Sequence, residues 1–197
     1  MNIIFASNNL HKLNELRAAM RTFPIELIAQ SEYGVEEVAE TGLTFVENAL
    51  IKARHASKIS GLPALADDSG LVVAALNGAP GIYSARYAGE KVTAKMHNTK
   101  LLTALNAIPE TNRDAYFFCV LAFMLSADDP APLLCEGKWH GKILTSPQGE
   151  GGFGYDPIFY CPQQKKSAAE LPLDIKNKIS HRGIALQLFI QRLAEKI

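Results

Sequence analysis

Four short stretches carry residue types that could act on a phosphorylated ligand. Ser7-Asn8-Asn9-Leu10-His11-Lys12 follows the apolar run Ile3-Ile4-Phe5 and leads into Leu13, Leu16 and Met20, which recur at helical spacing. A turn between a strand and a helix start offers free backbone N–H groups and the positive end of a helix dipole, a setting suited to phosphate. Lys12 adds a point charge there, and Ser7 and Asn9 add polar groups. The Walker A pattern is absent, and an ordinary capped helix start would use the same residues.

Asp67-Asp68-Ser69-Gly70 ends an apolar run. Adjacent carboxylates on a regular strand point to opposite faces, so both grip one ion only if the chain turns at Ser69-Gly70. One strand-end carboxylate, joined by another such as Glu40 from a loop, is a typical Mg²⁺ arrangement when the substrate supplies phosphate oxygens. The alternative is a turn in which Asp caps backbone N–H groups. Further on, Gly149 to Pro157 sets Phe153, Tyr155 and Asp156 among glycines. Aromatics on such a loop can stack on a planar base while Asp156 accepts a hydrogen bond, or they can simply pack into the core. Ser180-His181-Arg182-Gly183 puts two basic residues at a helix start, against the dipole, and a broken local rule points to function. Arg182 donates and never accepts, which suits a purine with an oxygen at its 6-position. His11, His55, His97 and His140 lack metal-ligand spacing and read as surface or core histidines.

The elements that must position these residues alternate in type. Strands are expected over Asn2–Ser7, Ile25–Ala29, Pro63–Ala66, Leu71–Leu76, Ala115–Ser126 and Leu133–Ile143. The Ala115–Ser126 run is apolar enough to be buried on both faces. Helices are expected after Lys12, over Thr44–Ser60, where Phe45, Ala49, Ala53 and Ala56 share a face, over Thr93–Ile108, and after Ser180, which can cap a last helix with Ala185, Leu188, Phe189, Leu193 and Ile197 on one face. Glu36–Glu40 and Asn77–Gly89 read as loops, and Asp128–Pro132 as a turn. Mixed strands and helices place the chain in the α/β class.

The whole composition agrees. The chain has 197 residues, 48% hydrophobic and 20% charged, which excludes disorder and gives enough length for a real core. Lys+Arg and Asp+Glu are 20 each, so no global field attracts nucleic acid or an anionic membrane, and an anionic ligand needs a local cluster. The three cysteines, Cys119, Cys135 and Cys161, form no C-x-x-C pair and read as buried reduced thiols. No signal peptide is visible, and the longest apolar stretch, Ala115–Leu125, is too short to span a bilayer. A cytoplasmic protein is expected.

Taken together, Ser7-x-Asn9-x-x-Lys12, Thr41-Gly42-x-Thr44-Phe45-x-Glu47-Asn48-Ala49-x-x-Lys52-Ala53, Ala66-Asp67-Asp68-Ser69-Gly70 with Gly78-Ala79-Pro80-Gly81-Ile82-Tyr83-Ser84-Ala85-Arg86, and Gly152-Phe153-Gly154-Tyr155-Asp156-Pro157 with Ser180-His181-Arg182-Gly183 resemble one family. It is the Ham1-like non-canonical purine NTP pyrophosphatases, also called inosine triphosphate pyrophosphatases, and most closely their dITP/XTP diphosphatase branch. The resemblance implies a single domain over residues 1–197 with two lobes, an elongated mixed sheet flanked by helices, and an active-site cleft between the lobes. It also implies a homodimer, a divalent ion, normally Mg²⁺, and hydrolysis of ITP, dITP and XTP to the monophosphate and pyrophosphate, clearing deaminated purines from the nucleotide pool. By the same resemblance Ser7, Asn8, Asn9, Leu10, His11 and Lys12 hold the triphosphate and Lys52 faces it. Glu40 and Asp68 ligate the metal, and Asp68 activates water. Ser69 contacts substrate, and Phe153, Gly154, Tyr155, Asp156, Lys176, His181 and Arg182 form the base pocket. Asn8 stands where relatives often have glycine, so it must accept the backbone angle glycine allows. The match at Arg86 is looser. A phosphatase or kinase on the same Mg²⁺ site, and a nucleotide-binding regulator without catalysis, are the competing readings.

Overall fold

A computed structural model describes residues 1–21, 23–90 and 92–196, with the side chain of His11 outside the described atoms. Ile197, expected on the last helix, lies outside the described residues. Among the described residues seven strands form one sheet: β1 (Asn2–Phe5), β2 (Glu26–Ala29), β3 (Ala64–Val73), β4 (Asp114–Met124), β5 (Leu133–Ile143), β6 (Phe159–Cys161) and β7 (Lys166–Ser167), in the order β2-β1-β3-β4-β5-β6-β7. β1 runs parallel to β2 and β3, whereas β6 runs antiparallel to β5 and β7, so the sheet is mixed. Among the described residues five α-helices accompany it: α1 (Leu10–Met20), α2 (Phe45–Ser60), α3 (Ala94–Ala104), α4 (Leu173–Ile179) and α5 (His181–Lys196). This is the expected α/β class. Among the described residues no helix is long and apolar enough to cross a membrane.

The chain divides into two compact units, Met1–Asp68 with Cys119–Glu136 and Ile184–Ile197, and Ser69–Phe118 with Gly137–Gly183. The first unit's core gathers Ile3, Phe5, Leu13, Leu16, Leu65, Leu121, Phe123 and Phe189. The second is built on Leu71, Leu101, Leu105, Trp139, Ile158 and Phe159, with Phe117 against Phe159 at 4.6 Å between ring centres. Each core collects the alternate apolar residues of its strands and the apolar stripe of its helices, and burying them is what stabilises the unit. All three cysteines are buried free thiols.

Two expectations need correction. Pro63–Ala66 and Leu71–Leu76 are not separate strands around a turn. β3 runs unbroken through Asp67-Asp68-Ser69-Gly70, because every one of these residues is largely buried and needs the ladder for its backbone groups. The helix expected over Thr93–Ile108 stops at Ala104. There the buried guanidinium of Arg113 collects the carbonyls of Leu105, Ile108 and Leu144 at 2.9, 2.9 and 3.2 Å, an alternative to further helical bonds. The short β6, β7 and α4 had no apolar period long enough to read.

Candidate active site

In the first unit the chemistry gathers around β3. Regular strand geometry sends the two aspartates to opposite sides, and each finds its own lysine. Lys12 Nζ lies 2.7 Å from Asp67 Oδ2, a carboxylate only 1% exposed. Lys52 Nζ lies 2.8 Å from Asp68 Oδ1 and also 2.8 Å from Glu40 Oε1. One ammonium therefore bridges two carboxylates.

α2 delivers that lysine. Thr44 caps it by accepting the amide of Glu47 at 3.2 Å, and the Glu47 carboxylate in turn takes Leu43 N at 2.8 Å. Ala49, Ala53 and Ala56 are fully buried, and their small side chains let the helix lie close to its unit's core. Asn48, one turn before Lys52 and fully buried, accepts Gly42 N at 2.8 Å and so pins the loop that carries Glu40. An added Cβ at Gly42 would strike Glu47 and Asn48, so the loop needs glycine there.

Burial pushes Asp68 above the ordinary aspartate value, and neighbouring Glu40 and Asp67 add to the push against the pull of Lys52. Burial alone would lower Lys52, but the carboxylates of Asp68, Asp67 and Glu40 outweigh it and its ammonium is held above the usual lysine range. Asp68 Oδ2 is buried with no hydrogen-bond partner among the described residues. No group of three or more His, Cys, Asp or Glu side chains forms a metal cage among the described residues. A hard ion such as Mg²⁺ needs fewer, because it keeps several waters and takes substrate oxygens. Glu40 and the unsatisfied Asp68 oxygen fit that donor set.

The loop before α1 has its own internal order. Asn9 caps the helix by accepting Lys12 N at 3.2 Å, and Ser7 Oγ accepts Asn9 N at 3.2 Å. Asn8 donates to Glu37 at 3.0 Å and accepts from Gln30 at 2.9 Å. Among the described residues the non-glycine positions with positive φ are Asn77 and Lys165. Asn8 is not among them, so its position asks for no angle reserved to glycine. Leu10 is exposed.

The second unit holds the expected base-pocket residues. Gly149, Gly152 and Gly154 all have positive φ, and this turns Phe153 outward, where it is 46% exposed. Asp156 accepts Phe153 N at 2.7 Å and Lys176 Nζ at 2.5 Å. An added Cβ at Gly152 would run into the Asp156 carboxylate. Lys176 Nζ lies 4.9 Å and Arg182 Cζ 5.7 Å from the centre of the Phe153 ring. Arg182 also reaches Ser69 Oγ at a long 3.5 Å. Lys176, His181 and Arg182 are buried. As expected, Ser180 caps α5, accepting Gly183 N at 3.2 Å. A Cβ at Gly183 would collide with the Asn177 carbonyl, so the tight α4–α5 join requires glycine.

Tyr155 departs from the rest of its loop. Its ring is buried and its hydroxyl donates to Ser84 O at 2.8 Å, so it anchors the loop from within. Burial drives its pKa well above the ordinary tyrosine value. Arg86 lies over the Tyr83 ring at 5.1 Å. Sequence reasoning did not single out Asn98 or Phe117. Phe117 stacks on the His181 imidazole, 4.8 Å between centres and 13° from parallel. Neither carries a local signature, since each reads as an unremarkable helix or strand residue.

The Ham1 family model matches residues 3–192 of the chain. A curated "dITP/XTP pyrophosphatase" of Vibrio cholerae is 53% identical over 194 residues, 98% of this chain and 97% of that protein. Another protein of that name, from Escherichia coli K12, is 50% identical over 191 residues, 97% of each. A solved structure of a HAM1 protein from Coxiella burnetii superposes with a TM-score of 0.95 at 52% identity, covering 99% of both chains.

Proposed function

The chain belongs to the Ham1 family, and from that premise we propose that it hydrolyses the triphosphates of deaminated purines, ITP, dITP and XTP, to the monophosphate and pyrophosphate. The observation that carries the reading is the ammonium of Lys52 held between Glu40 and Asp68. Two carboxylates arranged around one positive centre are what a divalent ion, Mg²⁺ here, requires from a protein when the nucleotide brings the remaining oxygens. When bound, that ion would polarise the phosphates and offset their charge.

The residues divide the remaining work. The α1 start, Lys12 and Lys52 neutralise and orient the triphosphate, since phosphoryl transfer asks a protein mainly for positioning and electrostatics. Asp68 orients the attacking water and takes its proton. A positioned general base of this kind contributes ~10²–10⁴-fold. Phe153 gives a face for the base to stack on, steadied by Lys176 and Arg182. Arg182 and His181 supply donors for a 6-oxo group. An amino group there would leave a buried donor unpaired, and mismatches of this kind discriminate by ~10⁴. We read Ser69 as a substrate contact on the same chain segment as Asp68, and we propose a homodimer.

A panel of ITP, dITP, XTP, GTP and ATP, assayed with Mg²⁺ for pyrophosphate and orthophosphate separately, tests the reading. Pyrophosphate from ITP, dITP and XTP with little turnover of ATP is expected. Orthophosphate released together with a nucleoside diphosphate would sink it.

A further inference from the structure

We propose that Asn98 is a positioning residue for the loop that stacks on the base, setting its place through the carbonyl of Gly154. This rests on the reading of Phe153 as the stacking surface. Asn98 lies on α3, is 6% exposed, and donates its side-chain amide to Gly154 O at 3.1 Å. Gly154 directly follows Phe153, so holding its carbonyl limits the directions in which the ring can be presented. Gly154 itself has φ +61° and contacts no neighbour where a Cβ would stand. No neighbouring atom therefore braces the side-chain position at this point of the loop.

The neighbouring bonds support the assignment. Asp156 holds the Phe153 amide, one peptide unit before the Phe153–Gly154 bond. Tyr155 ties the following residue to Ser84 O, and His97, the residue before Asn98, packs on the Tyr155 ring at 6.2 Å. The Gly154 carbonyl lies between these two anchors, and Asn98 takes it.

The oxygen of the Asn98 side-chain amide argues in the same direction. Asn98 Oδ1 is buried with no hydrogen-bond partner among the described residues. A half-satisfied buried amide lowers stability relative to an apolar residue of its shape. Asparagine is also a poorer helix former than alanine or leucine. What it supplies in return is one placed donor. Inward faces of helices are ordinarily apolar, and a polar exception is a place to look for function.

Asn98→Ala and Asn98→Asp test this with three readouts: kcat and KM for ITP, inhibition by pyrophosphate, and hydrogen exchange of residues 152–156. Alanine removes the donor and favours the helix, while aspartate keeps the volume and replaces the donor with an acceptor. Loss of positioning predicts KM for ITP rising about tenfold with kcat within about threefold, since a weakened base contact removes ground-state and transition-state binding alike. The pyrophosphate inhibition constant should not move, because that ligand has no base, and exchange should quicken in 152–156 and not in β3. An unchanged KM, or KM and the pyrophosphate constant rising together, overturns the proposal. If one variant is insoluble, the other decides by the same criteria. Phe153→Ala separates the underlying reading: if it leaves KM unchanged, the stacking role fails, and the exchange of 152–156 in the Asn98 variants still decides whether Asn98 holds the loop.

Discussion

At the residue scale, adjacent Asp67 and Asp68 show how backbone geometry assigns roles. The pleat turns one toward Lys12 and the other toward Lys52 and Glu40. Asp68 therefore shares its lysine with a second carboxylate, Glu40. Asp68→Asn keeps the volume and removes the base, so turnover of ITP should fall by ~10²–10⁴ while the melting temperature stays near the parental value. A variant that still hydrolyses ITP at the parental rate would remove Asp68 from its assigned role. His97 gives a pH prediction. Its Nδ1 accepts Ala88 N at 3.0 Å, and burial, with some help from Lys100, lowers its pKa below the ordinary histidine value. The folded protein then binds fewer protons than the unfolded chain. Its contribution is complete above about pH 6.5 and drains away as the pH falls from there toward the lowered value. His97→Asn keeps an acceptor that does not titrate. The stability gap between parent and variant, followed by thermal melts, should narrow as the pH drops through that window, and a gap independent of pH would contradict the assignment.

At the element scale, the ends and joins of helices decide more than their middles. The apolar faces of α1, α2 and α5 were legible because a 3.6-residue period repeats over several turns. The stop of α3 was not, since it depends on Arg113, nine residues past the helix end in sequence, whose three carbonyl bonds come from loops and from the residue after β5. Arg113→Leu leaves those buried carbonyls without donors and should destabilise by about 3 kcal/mol in urea unfolding, with kcat at 25 °C little altered in the folded fraction. Gly183→Ala should do more harm than its size suggests, because the Asn177 carbonyl occupies the space a methyl needs. Its loss of ITP affinity should exceed that of an alanine placed at exposed Gln191, measured side by side.

At the scale of the whole molecule, a chain with no net charge offers no global field to a tetra-anionic nucleotide, so the proposed reaction calls for local charge, supplied by the lysines and the proposed divalent ion. Chelation with EDTA should abolish pyrophosphate release, and added Mg²⁺ should restore it. Activity that survives chelation would argue against the metal. Light scattering at twice the 21.5 kDa chain mass would support the proposed homodimer.

The sequence alone determined the α/β class, the long helices, the buried β4 and the cap of α5, because each depends on a local period or on one residue type at one position. It also supplied the motifs that place the chain in its family. The partners of those motifs were decided only by the tertiary structure: Lys52 bridging carboxylates twelve and sixteen residues away, β3 passing unbroken through Asp67-Asp68, Tyr155 turned inward beside an outward Phe153, and Asn98 on Gly154. Burial and hydrogen-bond satisfaction depend on what the rest of the chain brings near, and no window along the sequence contains that information.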